Sequence, residues 1–199
     1  MKALALYFDA PFQSWGESGV LEHRKTLLLP TQSAVYGLFC AALGISRGLE
    51  HDVLTVLAGC EYRVFEFMPL EPRQSNLLQD YHTITTKDGT VLTKRDYLVD
   101  SSFGAIVAGE TREQEKILHK IEFAMKNPVW GGSLGRKCCV PQERICLGLY
   151  DSLGDARQRL LQKSDICREL VTDPDGVVVR DIPLDFEKRL FDGRMVMMT

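Results

Sequence analysis

Residues 80–100 read DYHTITTKDGTVLTKRDYLVD. The stretch predicts a β-hairpin with Asp88-Gly89 as its turn, since Asp-Gly between two Thr- and aliphatic-rich runs is a strong short-range hairpin signal. Thr83 to Thr86 enter the turn, and Thr90 to Thr93 leave it. The arm has little apolar content to bury, and two strands alone are unstable in water unless they pack on something. Its base carries Tyr81, His82, Lys94, Arg95 and Tyr97. Aromatic faces stack on bases, and Lys and Arg pair with phosphates, so RNA is a good candidate for what this arm grips.

Outward from the hairpin, the chain reads as strands and helices in alternation, with no internal repeat. Residues 2–8 predict a strand, followed by a loop to about Leu29. Pro30-Thr31 opens a helix with Thr31 as its N-cap; the helix is apolar on most sides and stops at Gly44. Residues 50–58 add a short helix and 60–68 a strand. Beyond the hairpin, 102–109 predict a strand, and Thr111-x-x-Gln114 forms a capping box before an amphipathic helix that Asn127-Pro128 ends. The glycine-rich segment VWGGSLGRKCCVP leads into a strand at 144–150. This order, β-α-β-(hairpin)-β-α-β, predicts an α+β, ferredoxin-like domain over residues 1–150 with the hairpin inserted as a thumb. Residues 151–199 predict a small β-rich extension packed on the same domain. It contains a helix from Ser152 to Gln162, strands near 166–172, 177–182 and 194–198, and a turn at Asp173-Pro174-Asp175-Gly176.

Composition restricts the function. A net charge of −3 gives no global attraction for nucleic acid, so an RNA site has to be a local basic patch or one completed by a partner. Residues 164–199 hold eight acidic and five basic side chains, which makes the C-terminal segment a poor RNA face. The six cysteines include no CxxC pair, and adjacent Cys138-Cys139 suit neither a zinc knuckle nor an ordinary disulfide framework. This usage predicts a reducing cytoplasm. Asp9 ends the first apolar run too early for a signal peptide, and no stretch reaches the ~20 apolar residues of a membrane helix. No metal or cofactor is expected, since HExxH, GxSxG and nucleotide-binding patterns do not occur. The strand 102–109 holds only Phe103, which argues against an ordinary sheet-face RNA reader.

Several constellations can carry chemistry, each with a plainer alternative. GGSLGRK places Gly131, Gly132 and Gly135 beside Arg136 and Lys137, which suits a backbone approach to phosphates or a turn with solvated charges. The helix start at Thr31, Gln32 and Ser33 can bind a phosphate through free N–H groups or simply be capped. His23-Arg24-Lys25 is a short basic run or a solvated face. His82 with Tyr36 or Lys94 forms the acid–base set of a metal-independent ribonuclease only if the three converge in space.

Five segments occur in a fixed order: APFQSWG (10–16), PTQSAVYGLFCAALGI (30–45), DYHTI (80–84), KRDYLVDSSF (94–103) and SLGRKCC-P (133–141). In this ordered set the chain resembles the CasD-type (Cas-five) subunits of type I CRISPR surveillance complexes, the type I-E Cascade form above all. The resemblance implies a ferredoxin-like (RAMP/RRM-like) domain with a thumb, which caps the backbone and holds the 5′ handle of the CRISPR RNA. It implies a backbone subunit of the Cas-seven type and a large PAM-reading subunit as partners, with target DNA met indirectly, no membrane, and a role in antiviral defence. It also adds Trp15 to the RNA-contacting set. Type I-E members do not cut the precursor RNA. Type I-C equivalents do, with a Tyr, a Lys and a His, and this chain lacks a clear adjacent Lys-His pair.

Overall fold

The structure is a computed structural model that describes residues 1–16, 22–69, 76–87 and 89–198. Strand β1 (Lys2–Gln13) is buried on both sides over most of its length. Leu4, Leu6 and Phe8 face one core cluster, while Ala3, Ala5 and Tyr7 face another. Short strands β2 (Trp15–Gly16), β3 (His23–Arg24) and β4 (Thr26–Leu27) follow, where the sequence predicts only loop. Next come helices α1 (Gln32–Leu43) and α2 (His51–Ala58) and strand β5 (Glu61–Phe67). The hairpin is β6 (Leu77–Thr86) and β7 (Gly89–Gly109); Asp88 of its predicted turn lies outside the described residues. Helix α3 (Arg112–Lys126), strand β8 (Cys146–Tyr150), helix α4 (Leu153–Leu161) and strands β9 (Ile166–Asp185) and β10 (Leu190–Met198) complete the order.

The main sheet runs β10-β9-β5-β7-β1-β8, with every neighbouring pair antiparallel. β6 and the parallel β3 join it along β7. Residues of α1 and α3 pack on one face of the sheet and those of α4 on the other. The caps form as predicted. The Thr31 hydroxyl accepts the Ala34 N–H, Thr111 and Gln114 make the reciprocal box, and Gly44 ends α1 in the left-handed conformation. Among the described residues no helix is long and apolar enough to cross a membrane. All six cysteines are free thiols; burial pushes Cys40 up to about 11 and Cys60 up to about 12.

Two strand boundaries differ from expectation. The hairpin's second arm and the predicted strand 102–109 are one 21-residue strand, β7. Its far end pairs with β1 from Gln13↔Leu98 to Lys2↔Gly109, and its near end pairs with β6. The arm is therefore a continuation of a core strand. The Asp-Pro-Asp-Gly segment turns locally, with the Asp175 N–H donated to Asp173 Oδ1 at 2.8 Å, but it does not reverse the chain. Val196 pairs with Thr172 and Met195 with Val178, so residues 173–177 bulge out of a single strand. The reversal comes later, between β9 and β10, where Arg189 has φ 56° and Asp185 accepts the Lys188 N–H.

The β9–β10 pair also reaches α1. Asp181 and Arg194, both almost fully buried, form a two-point ion pair at 2.8 and 3.0 Å. The same Asp181 carboxylate accepts the Gln32 N–H at 2.8 Å. Buried Glu50 accepts the Phe186 N–H at 2.9 Å.

Candidate nucleic-acid interface

Side chains alternate across a strand, and directly paired residues share a face. In the β6–β7 register Gln79 pairs with Asp96, Tyr81 with Lys94 and His82 with Thr93. β3 adds His23 beside Lys94 and Arg24 beside Arg95, tied by the Lys94 N–H donated to the Glu22 carbonyl at 2.7 Å. One face of the hairpin root therefore carries His23, Gln79, Tyr81, Lys94 and Asp96. The other carries Arg24, His82, Arg95 and Tyr97.

On the first face, His23 Nε2 lies 2.9 Å from Asp96 Oδ2, and Gln79 Nε2 donates to Asp96 Oδ1 at 3.1 Å. Burial alone would raise the Asp96 carboxyl. Hydrogen bonds from His23 and Gln79, with the charge of Arg136 nearby, outweigh it and hold the group below the ordinary carboxylate value. Tyr81 is 61% exposed, and Lys94 Nζ sits 5.6 Å from its ring centre. This is an open aromatic face with a cation beside it.

The second face is closed by the glycine-rich loop. Arg136 lies 4.4 Å from the Tyr97 ring centre, and its two terminal nitrogens donate to the Asp96 and Arg24 carbonyls, each at 2.7 Å. Phe12 meets the other part of Tyr97 edge-on at 5.8 Å. The loop is pinned to the core by buried Leu134, whose carbonyl accepts the Ser14 N–H at 3.0 Å. Arg136 thus clamps β3, β7 and the loop together.

Asp96 gives a pH test. Because its folded value is depressed, its contribution is complete above the unfolded carboxylate range and is lost as pH falls through the lower folded value. The root network should therefore weaken below about pH 4. Protection of the Lys94 amide, its hydrogen exchange taken relative to the intrinsic rate at each pH, should fall there in the native protein and lose this dependence in Asp96→Asn. The same acid response in both proteins would refute the assignment.

Several residues of the expected RNA-contacting set are buried or engaged within the chain. Trp15 is fully buried, edge-on to Phe8 at 5.2 Å. Gln32 is buried and its N–H is taken by Asp181, so the start of α1 is occupied by a carboxylate of the chain itself. The Ser33 hydroxyl donates to Thr31. Tyr36 is fully buried and donates to the Leu57 carbonyl; burial raises its phenol well above its ordinary value. Tyr97 is buried beneath Arg136 and Phe12. Gly135 approaches the Ser14 backbone, and Arg136 is engaged internally. Arg24, Lys25, Tyr81, His82, Lys94, Gly131, Gly132 and Lys137 remain exposed, with His23 and Arg95 half-buried. The condition for the alternative acid–base set is not met, since Tyr36 is inside the core and His82 and Lys94 point to opposite faces. Residue typing missed Asp96, Gln79 and Phe12. Asp96 was signalled only by being a carboxylate inside the basic run KRDY.

Comparison with known proteins places this geometry in a family. Residues 3–197 match the model described as CRISPR-associated protein (Cas_Cas5), and the chain belongs to that family. It is 28% identical over 170 residues to the CRISPR system Cascade subunit CasD of Escherichia coli (strain K12), spanning 79% of this chain and 75% of that one. Among solved structures, a chain of a CRISPR RNA-guided surveillance complex superposes with a TM-score of 0.75 at 23% identity, a likeness of fold. That match covers 99% of this chain and 89% of the other. A Cas protein crystal structure gives a TM-score of 0.72 at 28% identity, covering 99% and 93%.

Proposed function

We propose that the chain is a non-catalytic subunit of a type I CRISPR surveillance (Cascade) complex, of the type I-E kind, that binds the 5′ handle of the CRISPR RNA and caps the backbone. The observation that carries this reading is the hairpin root. It continues core strand β7 and sets exposed Tyr81 and Lys94 on one face and Arg24 and Arg95 on the other. Membership of the CRISPR-associated family supports it. The strand order β8-β1-β7-β5, all antiparallel and linked through α1, α2 and α3, supports a ferredoxin-like core in residues 1–150, with 151–199 as an extension on it. The partners are then the CRISPR RNA, a Cas-seven-type backbone subunit and a large PAM-reading subunit, in the cytoplasm, with target DNA met indirectly.

Tyr81 stacks on a base or sugar in this reading, while Lys94, Lys25 and Lys137 neutralise phosphates and the exposed Gly131-Gly132 backbone lies close to the handle. Tyr81→Ala with Lys94→Glu should weaken handle binding by roughly 1–3 kcal/mol for the lost stack, and more with the reversed charge. The salt dependence of binding should also become shallower. Filter binding of a handle oligonucleotide across a salt series measures both, and unchanged affinity would refute the site. Lys137, rather than Arg136, is the loop cation to reverse, because Arg136→Glu would also break the clamp on β3 and β7.

Thr83 pairs directly with Leu92, so deleting residues 84–91 and joining this pair through Gly-Gly leaves a two-residue hairpin loop. The shortened protein should keep its melting temperature, since the removed segment is largely exposed. It should leave the guide 5′ end open to nuclease in the assembled complex. Wild-type protection of the handle would show that the thumb does not clamp RNA.

A further inference from the structure

The C-terminal end of α1 is closed by the chain that follows α3. Val129 and Trp130 donate their N–H groups to the Ala42 and Ala41 carbonyls at 3.0 and 3.2 Å, adding partners at a helix end where Ala41 also accepts the Gly44 N–H at 3.1 Å. Gly44, at φ 72°, leaves room for the Val129 side chain, which lies 3.0 Å from where a Cβ would stand. Ala42, Leu43 and Val129 thus line one side, and Phe123 and Ala124 of α3 the other, with His119 and Asn127 also in the lining. An open groove of about 490 Å³ lies between them. Phe123 is 72% exposed and Val129 64%, so both edges present apolar surface to solvent.

The charge beside this groove is mainly basic. Arg112, Lys116 and Lys120 fall at four-residue spacing on the outer side of α3, the last of them on the groove's rim. All three are exposed. Of the three acids of α3, Glu115 is engaged with the Met1 amino group at 2.8 Å and Glu122 with Lys126 at 2.8 Å, and exposed Glu113 stands three residues before Lys116, which leaves Lys120 as the cation furthest from an acid on this side. Like charges four residues apart on a helix repel, and an acidic partner would relieve that repulsion.

We infer that this groove is a docking site for a protein segment in which an apolar anchor side chain is flanked by acidic residues. The apolar anchor fills the space between Phe123 and Val129, and the acids meet Lys116 and Lys120, as when an amphipathic helix seats in a groove. Nucleic acid fits less well, because the lining surface is overwhelmingly apolar, with His119, Lys120 and Asn127 the polar residues that contribute to it. The inference rests on the proposed function in one respect, that the chain works within a multi-subunit complex.

The test uses the complex reconstituted from the chain and the proteins encoded beside it, with a photo-crosslinking benzoylphenylalanine in place of Phe123. The expected adduct joins a protein subunit at a peptide where an apolar residue is flanked by Asp or Glu. Lys116→Glu with Lys120→Glu should then reduce retention of that subunit at least tenfold, and reversing the charge of the crosslinked acids should restore it. The double variant should keep the melting temperature and handle-RNA affinity of the isolated chain. A crosslink to RNA or DNA, to a peptide without acids, or to nothing would overturn the inference, as would full retention in the double variant. Handle binding by the unaltered chain is read in parallel. Its absence counts against the proposed function, whereas normal binding with no protein crosslink counts against the groove alone.

Discussion

Asp181→Ala should cost about 3–5 kcal/mol of folding stability, because it strands a buried charge. Arg194 is 7% exposed, Asp181 is its ion-pair partner, and Arg194 Nη1 already has no hydrogen-bond partner. The face of Tyr62, 5.0 Å away, would remain beside the guanidinium. The Gln32 N–H, at the first residue of α1, would lose its acceptor as well. Burying a donor without a partner adds to the loss. Urea denaturation of the single variant measures the effect. Asp181→Leu combined with Arg194→Met should recover much of it, since an apolar pair often replaces a buried ion pair at little cost. A single variant within 1 kcal/mol (about a fivefold change in the equilibrium) of the native protein would show that the pair does not hold the β9–β10 hairpin to α1.

Gly135→Ala should be the most damaging change in the glycine-rich loop. Gly135 has φ 98°, where an L side chain is strained, and a Cβ would stand 1.6 Å from the Ser14 carbonyl oxygen. The backbone conformation alone costs about 1–3 kcal/mol, before the collision is relieved. Relief requires Ser14 and Leu134 to separate, and with them the clamp that Arg136 makes on the hairpin root. Loss of about 3 kcal/mol or more is expected. Gly131→Ala is the matched control. A Cβ there meets nothing within 4 Å and the residue has no positive φ, so stability should change by less than about 0.5 kcal/mol. Equal effects of the two substitutions in urea denaturation would refute this division of the loop.

That division bears on the candidate interface. Three glycines beside two cations resemble a phosphate cradle when only residue types are visible. In the fold, Gly135 serves packing against Ser14 and Arg136 serves the root, which leaves Gly131, Gly132 and Lys137 facing outward. Aromatic residues divide in the same way. Tyr81 and Tyr97 lie at the same root, but the strand alternation turns Tyr81 to solvent and Tyr97 beneath Arg136.

Local chemistry determined much of this protein directly from its residues. Thr31, Gly44 and the Thr111–Gln114 box carry their own capping chemistry, and the alternation around Asp88-Gly89 carries the hairpin, so α1, α3 and β6–β7 were legible without a fold. The ordered segments between residues 10 and 141 identified the family for a different reason, because they record shared ancestry rather than physics. Long-range pairing was not legible. That β7 is one strand follows from its pairing with β1 along the far half, and that Asp-Pro-Asp-Gly makes a bulge follows from the register of β10 opposite it. The fate of each candidate site residue was tertiary for the same reason. Whether Gln32 offers its N–H to a ligand depends on Asp181, 149 residues away, and whether Arg136 is free depends on the carbonyls of Arg24 and Asp96. Residue type states what a group can bind, but only the packed chain decides whether another part of the molecule has already bound it.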